Sequence, residues 1–153
     1  MVNVVLVEPE IPPNTGNIAR FCAAMRCPLH LVQPLGFSLD EKHLKRAGMD
    51  YWKQVDVTVW NSSDEFFEFL DTEKKRFFLL STKASQSYTE VNFKINDFLV
   101  FGRETKGLPE SLLKANSEQS LTIPMLNPES RSLNLASAAS IVTFEALRQL
   151  KAV

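Results

Sequence analysis

Four groups of polar residues combine side chains capable of chemistry with spacings that could bring them to one place. Arg20 follows Asn17 by one helical turn, behind Pro12-Pro13-Asn14-Thr15-Gly16. A guanidinium is permanently cationic and presents a planar fork of donors, which suits a phosphate or a developing negative charge. The same block also reads as a rigid turn before a helix, with Arg20 in solvent. The second group is Phe101-Gly102-Arg103-Glu104-Thr105-Lys106-Gly107-Leu108-Pro109. It is either a plain strand-to-helix turn or a loop whose glycines let backbone groups approach a flat ligand. The third, Asn127 to Asn134, leaves the apolar run Leu121, Ile123, Met125 and enters a long apolar segment. Ser132 and Asn134 would there sit at a ligand beside unpaired backbone groups of the loop. The fourth is Lys42, Lys45 and Arg46, which reads as a solvated helix face or, beside Tyr51 and Trp52, as a track for a nucleic-acid backbone.

Several chemistries are excluded. The lysine and Ser/Thr that must follow the second glycine of a phosphate loop are replaced by Leu108-Pro109, and no G-x-G-x-x-G occurs. Cys22 and Cys27 have no second pair to complete a zinc site, and His30 and His43 stand apart from any ligand set, so no metal is expected. The thiols suit buried positions in a cytoplasmic protein, with a disulfide left open. There is no signal-peptide pattern and no membrane-spanning run, so no membrane association is expected. With a formal net charge of −1, any nucleic-acid surface must be local.

The elements that would position these residues alternate along the chain. Val2 to Val7, Leu29 to Val32, Phe77 to Leu80 and Phe98 to Phe101 read as buried strands. Val55, Val57 and Val59 read as a strand exposed on one face. Helices are expected from about Asn17 to Arg26, after a capping box at Ser38-x-x-Glu41 as far as Ala47-Gly48, after Ser62-x-x-Glu65, and from Pro109 to about Lys114. Residues 83–96 read as loop. The final helix is apolar on nearly every face and must be covered on every side, by its own domain or by another subunit. This pattern predicts a single α/β domain over residues 1–153, with a mostly parallel sheet of about six strands and helices on both faces.

Three blocks in order resemble the SPOUT class of RNA methyltransferases, and within it the tRNA wobble-nucleotide ribose 2′-O-methyltransferase branch. They are Asn14 to Arg20, Phe101-Gly102 through Glu104 to Pro109, and Ile123-Pro124-Met125 through Arg131-Ser132-Leu133-Asn134-Leu135. Arg46-Ala47-Gly48-Met49-Asp50-Tyr51 is similar to that branch too. The resemblance implies a C-terminal trefoil knot, which periodicity does not reveal, and a homodimer. It implies S-adenosylmethionine held by Leu80, Gly102, Ile123, Met125, Ser132 and Leu133. It further implies a tRNA anticodon stem-loop as substrate, methylated on the ribose of cytidine or uridine 34. Arg20, Asn17 and Asn134 are the expected catalytic set, and Lys42, Lys45, Arg46, Lys106 and Arg131 the expected RNA contacts. Where many members carry a tyrosine in the last helix, this chain has Phe144. The alternatives are an inactive RNA-binding module of the same fold, 2′-O-methylation at another tRNA or rRNA site, or an unrelated nucleotide-binding protein.

Overall fold

The computed structural model describes residues 1–46 and 52–153. The stretch Ala47 to Tyr51, where the second helix was expected to close at Gly48, lies outside the described residues.

The strands are β1 (Asn3–Val7), β2 (Leu29–Val32), β3 (Val57–Trp60), β4 (Phe77–Leu80), β5 (Gln86–Ser87), β6 (Phe98–Phe101) and β7 (Ser120–Thr122). The helices are α1 (Pro12–Met25), α2 (Glu41–Arg46), α3 (Ser63–Thr72), α4 (Glu110–Ala115) and α5 (Leu135–Gln149). The strands form one sheet in the order β3-β2-β1-β6-β4-β7-β5, and every pairing is parallel. Among the described residues the sheet therefore has seven strands where about six were expected. The extra one, β5, is two polar residues paired with Leu121 and Thr122, and it leads into a 3-10 turn (Tyr88–Glu90) capped by Ser87. Nothing in its composition marks it as a strand, because its partner alone defines it.

Alternation along the strands sorts the core into two layers, as a parallel sheet covered on both faces requires. Val4, Leu6, Leu31, Leu99 and Phe101 face α1 and α5, packing with Ile18, Cys22, Val142 and Leu147. Val5, Val7, Leu79 and Val100 face the other way, onto Phe66 and Leu70 of α3 and Leu113 of α4. Cys22 and Cys27 are buried free thiols. Burial raises both, Cys27 to about 11, so neither is a thiolate at neutral pH.

Some expectations change. Helix α1 begins at Pro12, not Asn17, because prolines at its first positions give up N–H groups that an α-helix leaves unpaired there anyway. Ahead of α2, Asp40 accepts the His43 N–H at 2.8 Å. Strand β3 starts at Val57, and its faces do not alternate as expected. Val59 is exposed, while Trp60 packs against Phe66 and Phe69. The polar stretch 83–96 holds β5 and a 3-10 turn. Within this chain α5 is covered on one face: Ala139, Val142, Thr143, Ala146 and Leu147 are buried, whereas Ile141 and Phe144 are 38% and 44% exposed, which leaves the other face for the second subunit that the apolar pattern allowed. Small residues along its inner face let it lie close to α1 and the sheet. Among the described residues no helix is long and apolar enough to cross a membrane.

Candidate active site

The carboxyl ends of β4, β6 and β7 open into a cleft of about 750 Å³. Crevices outside the carboxyl ends of parallel strands are the usual ligand sites of open α/β sheets, because the loops there converge without obstructing the core. Among the described residues the walls come from five segments: Ile11 and Asn14 at the start of α1, residues 80–83 after β4, 101–108 after β6, 122–125 after β7, and 131–135 leading into α5. Among the described residues, the lining mixes apolar side chains such as Leu80, Phe101 and Ile123 with four cations, Lys83, Arg103, Lys106 and Arg131, against one carboxylate, Glu104. In a chain of net charge −1 this is a local cationic excess. It suits a ligand carrying anionic groups. Lys83 is held at the rim by Glu110, 2.7 Å away, and that hydrogen bond holds the Glu110 carboxyl below its ordinary value.

The loop after β6 is shaped by its glycines. Gly107 has a φ of +65°, and its N–H donates to the Arg103 carbonyl at 2.9 Å, closing the loop on itself. A Cβ on Gly102 would lie 2.3 Å from the Gly107 carbonyl carbon and 2.4 Å from the Leu108 nitrogen. Gly102 is thus required by the loop's own closure, a stricter reason than ligand approach.

The three residues after Gly102 each bind the segment following β1. Arg103 pairs with Glu8 at 2.9 Å. Glu104 accepts the N–H of Glu10 at 2.8 Å and of Ile11 at 3.0 Å. The Thr105 hydroxyl donates to Glu10 at 2.7 Å, which lowers the Glu10 carboxyl from its ordinary range. On the opposite wall Asn134 caps α5: its Oδ1 accepts from the N–H of Ala136 at 2.9 Å and of Ser137 at 3.4 Å. Its amide Nδ2 donates to Oδ1 of Asn14 at 3.0 Å.

All six residues expected to hold a cofactor line this cleft: Leu80, Gly102, Ile123, Met125, Ser132 and Leu133. Lys106, Arg131 and Asn134 join them. Arg20 and Asn17 do not line it; both lie on the exposed face of α1. Lys42, Lys45 and Arg46 are exposed on α2 and are likewise outside it. Sequence reasoning missed Asn14 and Glu104 as site residues. The signal lay in the start of α1, which opens at Ile11 with no capping side chain and so needs an acceptor from elsewhere, and that start was itself not read from the sequence.

Residues 1–144 match the SpoU rRNA Methylase family. The chain is 48% identical to the tRNA (cytidine(34)-2'-O)-methyltransferase of Yersinia pestis, over 98% of this chain and 94% of that protein. A solved structure concerned with 2-OH methylation of C/U34 on tRNA superposes with a TM-score of 0.91 at 46% identity, covering 100% of this chain and 98% of the other. An AdoMet-bound rRNA methyltransferase from Sinorhizobium meliloti superposes with a TM-score of 0.83 at 26% identity, covering 97% of this chain and 56% of that one.

Proposed function

The chain belongs to the SpoU rRNA Methylase family, and on that premise we propose that it methylates the ribose 2′-hydroxyl of the wobble nucleotide, cytidine or uridine 34, of tRNA. The observation that carries this reading is the convergence of the cleft-lining residues at the carboxyl ends of β4, β6 and β7.

The methyl donor is S-adenosylmethionine. The cleft fits it on three counts. Its volume of about 750 Å³ lies within the usual range of ~300–1,000 Å³ for small-ligand sites. Apolar walls at Leu80, Ile123 and Leu133 can sandwich a flat base, and loop backbone can read its edges. Cations at the rim can meet its carboxylate. When bound, it supplies a methyl group already activated on a sulfonium, so this chain's residues must position the 2′-oxygen and help remove one proton.

Arg20 takes the second task by holding the developing negative charge on the 2′-oxygen. A guanidinium seldom gives up its own proton, so water or an RNA phosphate is the better acceptor. Arg20 lies outside its own chain's cleft, and Ile141 and Phe144 leave an apolar strip on α5, which packs against α1. Both facts favour a homodimer in which Arg20 serves a site built by two subunits. The exposed Lys42, Lys45 and Arg46 of α2, with Lys106 and Arg131 at the cleft, would carry the anticodon stem-loop. Such binding should weaken steeply with salt.

Incubating the protein with bulk tRNA and labelled S-adenosylmethionine, then mapping nuclease fragments by mass, tests the proposal. The expected product is 2′-O-methylated nucleotide 34. Failure to bind both S-adenosylmethionine and S-adenosylhomocysteine in calorimetry would sink it. Near-normal rate in Arg20→Lys at neutral pH would remove the specific guanidinium role.

A further inference from the structure

Helix α1 has no capping side chain of its own and no acidic residue in its first turn. The two residues entering it hand their N–H groups to Glu104, more than 90 positions later in the chain. The carboxylate thereby also stands at the positive end of the helix. Inside the first turn, the buried Asn14 directs Nδ2 toward the same carboxylate at a long 3.5 Å, while its Oδ1 accepts from Asn134 at 3.0 Å. Donors and acceptors alternate along this chain of groups. Because Asn134 Oδ1 is committed to the α5 N–H groups, only one orientation of both amides satisfies every contact.

A serine or aspartate at position 11 would cap α1 as well and need nothing from afar. The arrangement present here instead makes the entry to α1 depend on the two loops that wall the cleft. We propose that Glu104 and Asn14 are positioning residues: they lock α1, and with it Arg20, to the β6 loop and the loop before α5, so that the state of the cleft sets where Arg20 stands. This inference rests on the role given to Arg20 above.

The test uses full-length Glu104→Gln and Asn14→Ala. A glutamine offers one acceptor oxygen and turns an amide toward N–H donors. Amide hydrogen exchange at Glu10 and Ile11 should speed up in Glu104→Gln. The single-turnover rate on an anticodon stem-loop should fall by ~10- to 100-fold, the size expected of a misplacement near 1 Å, and by clearly more than the loss of affinity for S-adenosylhomocysteine in calorimetry, which should be small but real because Glu104 also lines the cleft. KM for the RNA should move little. Asn14→Asp sets a second carboxylate against Glu104, and adding Glu104→Gln to it restores a donor for that pair, so the double variant should recover part of the rate lost in Asn14→Asp. A rate within about twofold of wild type in Glu104→Gln, or a rate loss equalled by the loss of cofactor affinity, overturns the proposal. A wild type that transfers no methyl counts against the function reading alone. Exchange at Glu10 and Ile11, and its slowing by S-adenosylhomocysteine, decides the coupling without turnover.

Discussion

Helices α1 and α3 both follow a strand and both open on a polar turn, yet they are held in opposite ways. Helix α3 is complete within its own sequence. Ser62 accepts the Glu65 N–H at 3.1 Å, Glu65 returns to the Asn61 N–H at 2.9 Å, and Phe66 and Leu70 bury one helical turn apart. Helix α1 depends on Glu104 and, through Asn14, on Asn134. The α3 side of the sheet is fastened by neighbours in sequence, and the cleft side by residues far apart. Locally fastened structure contributes stability; structure fastened across the chain is where geometry can be shared between a ligand and a reacting group.

That contrast can be broken or sharpened in four ways, from the largest expected effect to the smallest. Phe66→Ala removes a fully buried ring that meets Trp60, Phe67, His30 and Phe98, and should cost about 3–5 kcal/mol in urea unfolding. Affinity of the folded protein for S-adenosylhomocysteine should be unchanged; if affinity falls in step, the two sides are not separable.

Acidification attacks the same side. His30 is buried, accepts from Trp60 on Nδ1 and faces Asn3 through Nε2. Burial pushes its pKa down to about 4 from 6.5, against the pull of Asp56. The unfolded chain therefore takes up the proton first. The associated stability is complete above about 6.5 and is lost as pH falls toward 4, by up to ~3 kcal/mol. Urea midpoints at pH 7 and pH 4.5 should differ more in wild type than in His30→Phe.

Gly102→Ala attacks the cleft. Its Cβ cannot be placed without opening the Gly102–Leu108 loop, so S-adenosylhomocysteine should bind about 100-fold more weakly, ~2.7 kcal/mol. Unchanged binding in calorimetry would mean this loop is not part of the cofactor site. The mildest change is Ser62→Ala, expected to cost ~1 kcal/mol with methyl transfer unaffected at 25 °C.

The contrast also explains what could be read from the sequence. Strands β2, β4 and β6 were legible to the residue, because strands buried on both faces are continuous apolar runs. The cap at Ser62 was legible because its partner is three residues away. The start of α1 was hidden: Pro12 and Pro13 look like breakers until the missing N–H groups are recognised as no loss at a helix start. Strand β5 was hidden because Gln86 and Ser87 have no strand character apart from their partner. The cleft residues came from the resemblance together with a polar loop before an apolar helix. Glu104 and Asn14 did not, since what they bind lies elsewhere in the chain. Arg20 was singled out for its chemistry, and spacing put it with Asn17 on the polar face of α1; that this face stands away from its own chain's cleft was not foreseeable from spacing.

The place of β6 between β1 and β4 has a consequence for biosynthesis. Both neighbours leave the ribosome before it does. Until residue 104 has emerged, the nascent chain lacks a usable middle to its sheet, and α1 lacks the carboxylate that completes its entry. Joining β1 to β6 closes a loop of some 90 residues, the kind of non-local pairing that slows folding. The half-sheet β1-β2-β3 must meanwhile keep an apolar edge out of contact with other chains. Folding of the complete sheet therefore waits on the emergence of β6, and shorter nascent chains carry the exposed edge of β1 in the meantime.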